Sequence, residues 1–375
     1  MSHDQASEDA TPDGPSPLDI LALTCAQVAA EMERRYGRGL HHAAGLCREV
    51  FKRGQTTIGA APEFGGPAEW AERLRSDLWF PPCRIAGQLE DGGVVKFVTS
   101  LADRRTIESV VIPSNGRSTL CVSSQVGCAM GCTFCVTGAM GFIRQLEVHE
   151  IVWQVWAARF LLGCAVDNVV FMGMGEPLDN FDNVVQAIRV LSDPRGLDIV
   201  CRHITLSTAG HADGIRGLAG LGLPHLRLAV SINSANDARR SEIMPINKIY
   251  PLARVLEELR AFPLGKKGVV FVEYVLLAGV NDSRADAQAL ASCLRGIPVR
   301  VNVIPLNCGD SASAHESPGP GRVEDFKRWL VDEHLFVRLR RPRGAGAMAA
   351  CGQLGAAGGQ IARDHEGKTT TANER

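Results

Sequence analysis

The sequence predicts an α/β fold on a parallel sheet, either a partial barrel or an open doubly wound sheet, and three observations carry that expectation. The 375 residues are 45% hydrophobic and 22% charged with a formal net charge of −1, enough to bury a sizeable core and too apolar for a disordered or fibrous chain. From Thr119 onward, apolar strands and amphipathic helices alternate six times. The strands are near-continuous Val, Ile and Leu, the pattern of a sheet covered on its faces by helices. Six units are fewer than a full eightfold barrel needs, and both remaining arrangements place ligands at the C-terminal ends of the strands.

The elements follow in chain order. Residues 1–16 are acidic and polar without an apolar core, which predicts disorder and excludes a secretory signal. Residues 17–83 read as a helical module, with helices over 17–35, 41–53 and 68–78. Residues 84–118 change to short alternating runs split by Asp91-Gly92-Gly93 and Ala102–Arg105, a β lead-in. Strands are predicted at 119–124, 167–174, 203–208, 226–232, 269–276 and 300–306, inside a unit spanning 119–362. Helices are predicted at 147–162, 180–192, 210–220, 251–261, 284–295 and 323–333. The tail 363–375 is polar and aperiodic, hence predicted disordered. No apolar run reaches the ~18 residues of a membrane span, so the expectation is a cytoplasmic protein with no membrane contact.

Twelve cysteines in such a chain point to metal or redox chemistry rather than a disulfide scaffold. Seven stand alone (Cys25, Cys47, Cys83, Cys164, Cys201, Cys293 and Cys308) and are expected to be small apolar residues. Cys128, Cys132 and Cys135 instead form Cys-x3-Cys-x2-Cys in a loop with Gly127 and Gly131, just after the first strand of the alternation. Three thiolates from one loop can hold three irons of a 4Fe-4S cubane and leave the fourth open to a ligand, whereas an electron-transfer cluster takes four. Zinc also accepts thiolates, but its sites bring two ligand pairs and no second Cys/His pair follows at the expected distance. The segment Met172–Pro177 reads as a strand end entering a glycine turn, where backbone can approach a ligand and Glu176 can meet an ammonium group.

Cys128-Ala-Met-Gly-Cys-Thr-Phe-Cys135 resembles the signature of the radical S-adenosylmethionine (SAM) superfamily, and Leu120–Gly127 narrows the likeness to the RlmN/Cfr family of RNA adenine methyltransferases. The resemblance continues through Val169–Pro177, Ile204–Gly210, Leu228–Ser231, Met244–Asn247, Glu273–Leu276, Asn281-Asp282, Asn302–Asn307 and Ala349–Leu354. It implies a partial (β/α)6 TIM-like barrel of the radical SAM type with a small helical N-terminal domain and a β lead-in. It implies one 4Fe-4S cluster on Cys128, Cys132 and Cys135, with SAM on the open iron contacted by Gly175, Glu176, Ser207, Ser231, Ile232, Asn233 and Asn307. Asn233 stands where the family usually has His, and Gly344–Met348 stands where it has an acidic run.

Adenine carbons 2 and 8 are electron-poor and cannot attack a SAM methyl directly, so a radical route with a covalent carrier is one solution. The resemblance implies that Cys351 receives the methyl group, that Cys121 resolves the RNA adduct by disulfide formation and that Glu108 accepts a proton. The implied substrate is carbon 2 of adenine in 23S rRNA, with tRNA as a further substrate, methylated by a monomer supplied with electrons by a flavodoxin or ferredoxin. Methylation at carbon 8 is the nearest rival, and an RNA-binding iron–sulfur protein impaired in catalysis is the rival of another class. Arg338, Arg340, Arg341 and Arg343, together with Arg48, Lys52 and Arg53, are the local basic groups expected to meet RNA phosphates.

Overall fold

Thr24 fixes where the first helix begins. In the computed structural model, which describes residues 17–58, 62–64, 69–223, 225–307, 314–340 and 352–355, its side chain accepts from the Gln27 N–H while the Gln27 side chain reaches back to the Thr24 N–H. Helix α1 (Cys25–Tyr36) therefore starts later than the expected 17–35. Ahead of it β1 (Leu18–Asp19) pairs in parallel with β2 (Leu78–Trp79). Helix α2 (Leu40–Cys47) runs into a π-helical turn, Arg48–Lys52, and α3 (Glu69–Asp77) completes the module. Cys25 and Cys47 are joined as a disulfide between the buried faces of α1 and α2, which corrects the expectation that each stands alone. The Trp156 indole N–H donates to the Val50 carbonyl at 3.0 Å, one of the contacts docking this module on the rest of the chain.

Strands β3 (Arg84–Asp91), β4 (Val94–Ser100), β5 (Thr106–Ser114) and β6 (Arg117–Cys121) form an antiparallel meander. After it β7 (Gln125–Gly127) and β8 (Phe142–Gln145) pair as a hairpin whose loop contains the cysteine triad and the short helix α4 (Val136–Ala139). The alternation follows: α5 (Val148–Phe160), β9 (Asn168–Phe171), α6 (Phe181–Ser192), β10 (Ile204–Thr208), α7 (Ala212–Gly220), β11 (Arg227–Ser231), α8 (Asp237–Ile243), α9 (Leu252–Ala261), β12 (Val270–Leu276), α10 (Arg284–Cys293), β13 (Val299–Pro305), α11 (Pro320–Asp332) and β14 (Val337–Leu339).

One ten-stranded sheet has the order β14-β13-β12-β11-β10-β9-β6-β5-β4-β3. It is parallel from β14 to β6 and antiparallel beyond, a partial barrel extended on one side by the meander. Seven parallel strands stand where six were expected: β14 is three residues long, too short to show a period. Side chains alternate across each strand, so Thr119 and Cys121, Ser207, Ser231, Glu273 and Ile304 face the lumen while Leu120, Leu206, Val230 and Val272 pack beneath the helices. Among the described residues no helix is long and apolar enough to cross a membrane.

Candidate active site

The cluster loop owes its shape to glycine. Gly127 has φ +76° and a side chain there would collide with the Gly141 carbonyl, so the hairpin can close only without one. Closure is completed by the Cys128 N–H donating to the Gly141 carbonyl at 2.9 Å, and the loop is pinned to α8 by the Thr133 N–H donating to the Ile243 carbonyl at 3.1 Å. Met130, Cys132 and Phe134 pack against Ile243, Met244 and Leu306, an apolar patch that keeps water from the thiols. Burial pushes the Cys128 thiol up to about 12 and the Cys132 thiol well above the usual thiol range. Both are neutral without a metal, and coordination is what would deprotonate them.

Gly175 and Glu176 lie on the same rim. Gly175 has φ +100°, and a Cβ would come within 2.5 Å of the Gln125 side chain. The close approach lets the Glu176 N–H donate to Gln125 Oε1 at 2.8 Å, binding this turn to the strand that leads into the cysteine loop. The Glu176 carboxylate accepts from the Leu178 N–H at 3.1 Å and from the Ala209 N–H at 2.7 Å, so it joins the ends of β9 and β10. Burial raises its pKa to about 7, against the lowering effect of these hydrogen bonds.

A single cavity is lined by Cys128, Cys132 and Cys135, by Gly175 and Glu176, and by Ser207, Ser231, Asn233, Asn307 and Gly352. Its donors and acceptors come from the C-terminal ends of successive parallel strands, as the fold requires. Among the described residues no three Cys, His, Asp or Glu side chains converge on one point as the ligands of a single metal ion do. The three thiols line this cavity together, and each can hold one iron of a cluster. A buried acceptor faces the same space: Glu273 Oε1 accepts from Asn302 Nδ2 at 2.7 Å, while Oε2 has no hydrogen-bond partner among the described residues, and burial raises the pKa of the group.

Several expected contacts are placed differently. Ile232 turns away from the cavity: its side chain is fully buried in the core, its N–H donates to the Glu273 carbonyl and its carbonyl accepts from Arg240 Nε. Asn233 lies on the lining in the left-handed region at φ +56°, a conformation asparagine tolerates. Its Oδ1 accepts from the Val275 N–H at 2.7 Å and its Nδ2 contacts the Met244 sulfur, so the side chain clamps β11 to β12. Glu108 and Cys121 are buried on the lumen side of β5 and β6 and are not part of the cavity lining. Glu108 reaches the site indirectly, through the Gly355 N–H that donates to its Oε2 at 2.9 Å. Cys351 lies outside the described residues, as do Cys308, Arg341, Arg343 and Ala345–Met348. The residue after Cys351, Gly352, lines the cavity and accepts from the Val136 N–H at 2.9 Å beside the cysteine loop. The N-terminal cations expected to meet RNA are engaged within the chain: Arg48 holds Glu63 through two hydrogen bonds of 2.9 Å, Arg53 pairs with Glu49 and Lys52 with Asp198.

Two supporting residues escaped the sequence reading. Lys96 is fully buried and pairs with Glu108 Oε2 at 2.8 Å. Its signal was a lysine set among Val94, Val95, Phe97 and Val98 of one strand. Arg240, also fully buried, donates to the carbonyls of Ala209, Ser231 and Ile232 and to Asn247 Oδ1, and so ties the ends of β10 and β11 to the Met244–Asn247 turn.

A partial barrel carrying three thiols of one loop and a glycine–glutamate turn on one rim defines a radical SAM enzyme. The family model of the radical SAM superfamily matches residues 122–290. The chain is 39% identical over 339 residues to "Probable dual-specificity RNA methyltransferase RlmN 1" of Protochlamydia amoebophila, covering 90% of this chain and 94% of that protein. It is 41% identical over 324 residues to the dual-specificity RNA methyltransferase RlmN of Geobacter sulfurreducens, covering 85% and 87% of the two chains. The crystal structure of a radical SAM methyltransferase from Sphaerobacter thermophilus superposes with a TM-score of 0.83 at 34% identity, over 91% of this chain and all of that one. The chain belongs to the RlmN family of radical SAM RNA methyltransferases.

Proposed function

We propose that this methyltransferase acts on carbon 2 of adenine in 23S rRNA and in tRNA, and that it does so through a methylated cysteine. The observation that carries this reading is the shared lining of the cavity, in which the three thiols, the Gly175-Glu176 turn, Ser207 and Asn307 meet Gly352, the neighbour of Cys351. Cys128, Cys132 and Cys135 would hold a 4Fe-4S cluster, which when bound would supply the one-electron chemistry needed to divide SAM into methionine and an adenosyl fragment. Glu176 and Glu273 offer carboxylate oxygens to the amine of SAM, and Ser207, Ser231 and Asn307 offer polar side chains to the rest of it. Backbone at Gly175 and Asn233 completes the wall.

Cys351 accepts a methyl group from one SAM, and the adenosyl carbon released from a second SAM would take a hydrogen atom from that group, leaving a thioether-bound carbon radical that forms a bond to the adenine carbon. Glu108 receives the proton that the adenine carbon loses, and the unpaired electron of the adduct would leave to a one-electron acceptor such as the oxidised cluster, so that the ring regains its aromaticity. The Cys121 thiolate then attacks the Cys351 sulfur, the new S–S bond replacing the C–S bond, and the freed carbon takes up a proton to become the methyl group of the base. Lys96 holds the Glu108 carboxylate, and the Gly355 N–H ties that carboxylate to the segment that follows Cys351. A small flavodoxin- or ferredoxin-type protein supplies the electron to a monomeric, cytoplasmic enzyme.

Denaturing electrophoresis of the reconstituted Cys121→Ala variant after incubation with RNA and SAM tests the scheme. A protein band shifted by covalently bound RNA and returned by ribonuclease is expected. Normal turnover by this variant would contradict the resolving role.

A further inference from the structure

The lumen contains a second chamber, of about 850 Å³, on the N-terminal side of the strands. Its wall carries six arginines: Arg117, Arg202, Arg227, Arg300, Arg338 and Arg340. Lys266 and Lys267 join them from the connection before β12, and among the described residues the one carboxylate on the lining is Glu273. In a chain whose formal net charge is −1, this is a strong local concentration of positive charge.

These arginines are not used as the others are. Arg144, Arg239 and Arg254 each hold a carboxylate at 2.5–2.8 Å, whereas none of the six forms an ion pair among the described residues. Arg300 and Arg338 stack against the Phe336 ring, at 5.1 and 6.0 Å from its centroid, which presents their guanidinium groups without neutralising them. Burial lowers the pKa of Arg227, and repulsion from Arg300, Arg117 and Arg202 lowers it further, so these groups feel one another. Like charges gathered in a concave space are offset when an anion enters it.

We propose that this chamber binds phosphate groups of the RNA strand flanking the adenine that is methylated, an assignment that rests on the RNA methyltransferase reading. Met172 and Glu273 line both chambers, so the basic space and the cysteine-lined cavity adjoin. A base in the upper cavity brings its own backbone with it. Planar guanidinium forks match phosphate oxygens, and arginines contributed by five different strands or their flanks surround a chain of phosphates rather than one point. An acidic electron-donor protein is the competing occupant, but a concave chamber inside the barrel suits a strand better than the convex face of a folded domain.

The test uses the full chain with its cluster reconstituted, comparing the parent with Arg227→Gln/Arg300→Gln and with Arg227→Lys/Arg300→Lys. The cluster absorbance, circular dichroism and SAM binding of all three should agree. For the Gln pair, the Kd for a hairpin RNA is expected to rise about tenfold at about 0.1 M salt, and the slope of log affinity against log salt to fall by about 0.7 per lost single-strand contact. The KM for RNA should rise with kcat little changed, and the Lys pair should keep most of the salt slope. If the Gln pair loses its cluster, Arg300→Gln alone is measured against the same expectations at smaller amplitude. Unchanged RNA affinity and slope in a folded Gln variant would overturn the proposal. So would pyrophosphate binding that the variant loses while RNA binding persists, which would mark a free-anion site, or a loss confined to reduction by flavodoxin, which would mark a protein-docking face. Parent protein that binds no RNA would bring down the methyltransferase reading itself.

Discussion

Glu108 Oε2 accepts from two groups at once, the Lys96 ammonium at 2.8 Å and the Gly355 backbone N–H at 2.9 Å, and so joins a buried strand of the meander to a segment 247 residues away. The contact sets the position of the chain that follows Cys351 from the same carboxylate proposed to accept a proton. Removing the cation leaves a buried anion unpaired, which costs about 3–5 kcal/mol, whereas removing both charges together costs much less. Chemical denaturation should therefore show Lys96→Met destabilised by about that amount and Lys96→Met/Glu108→Leu substantially recovered. Equal destabilisation of the single and double variants would show that the pair is not coupled.

Iron content is the next prediction. Anaerobic reconstitution should load about four irons, and Cys128→Ala, Cys132→Ala or Cys135→Ala should each abolish the cluster absorbance. Zinc bound in stoichiometric amount with no iron absorbance would be the opposite result.

SAM affinity should depend on pH through Glu176. Burial, the largest cause, raises this carboxyl to about 7, so below that pH it is mostly protonated and an ammonium group must displace the proton to bind. Affinity should level off above about pH 8, fall by up to tenfold per pH unit below 7, and approach at low pH the weaker, flatter affinity of Glu176→Gln. Equilibrium dialysis with labelled SAM measures this, and an unaltered pH slope in Glu176→Gln would assign the titration elsewhere.

Much of this architecture was readable because it repeats. The apolar runs of β9 to β13 announced parallel strands, and Cys128, Cys132 and Cys135 lie within eight residues of one another, where spacing alone carries chemistry. What escaped has no local pattern. The link from Glu108 to Gly355 spans 247 residues, and Arg117, Arg202, Arg227 and Arg300 of the basic chamber come from four different strands or their flanks, so they gather only when the strands align. Arg48 and Arg53 looked free because the partners Glu63 and Glu49 are acids that sequence reading treats as solvated. Ile232 lies just past the end of β11 with its side chain buried in the core, while its neighbours Ser231 and Asn233 line the cavity, a turn that no local pattern announces.

Methyl transfer to protein should precede transfer to RNA. The Cys351 peptide from protein incubated with SAM and reductant is expected to gain one methyl group by mass spectrometry, and Cys351→Ala should keep the cluster yet gain none. Methylation at another cysteine would move the carrier role there.

Liquid chromatography and mass spectrometry of nucleosides from RNA treated with the reconstituted protein test the central claim most directly, with Cys351→Ala run alongside. The account predicts 2-methyladenosine from the parent and unmodified adenosine from the variant. Product carrying the methyl group at carbon 8, or 2-methyladenosine formed at the parent rate by Cys351→Ala, would contradict it.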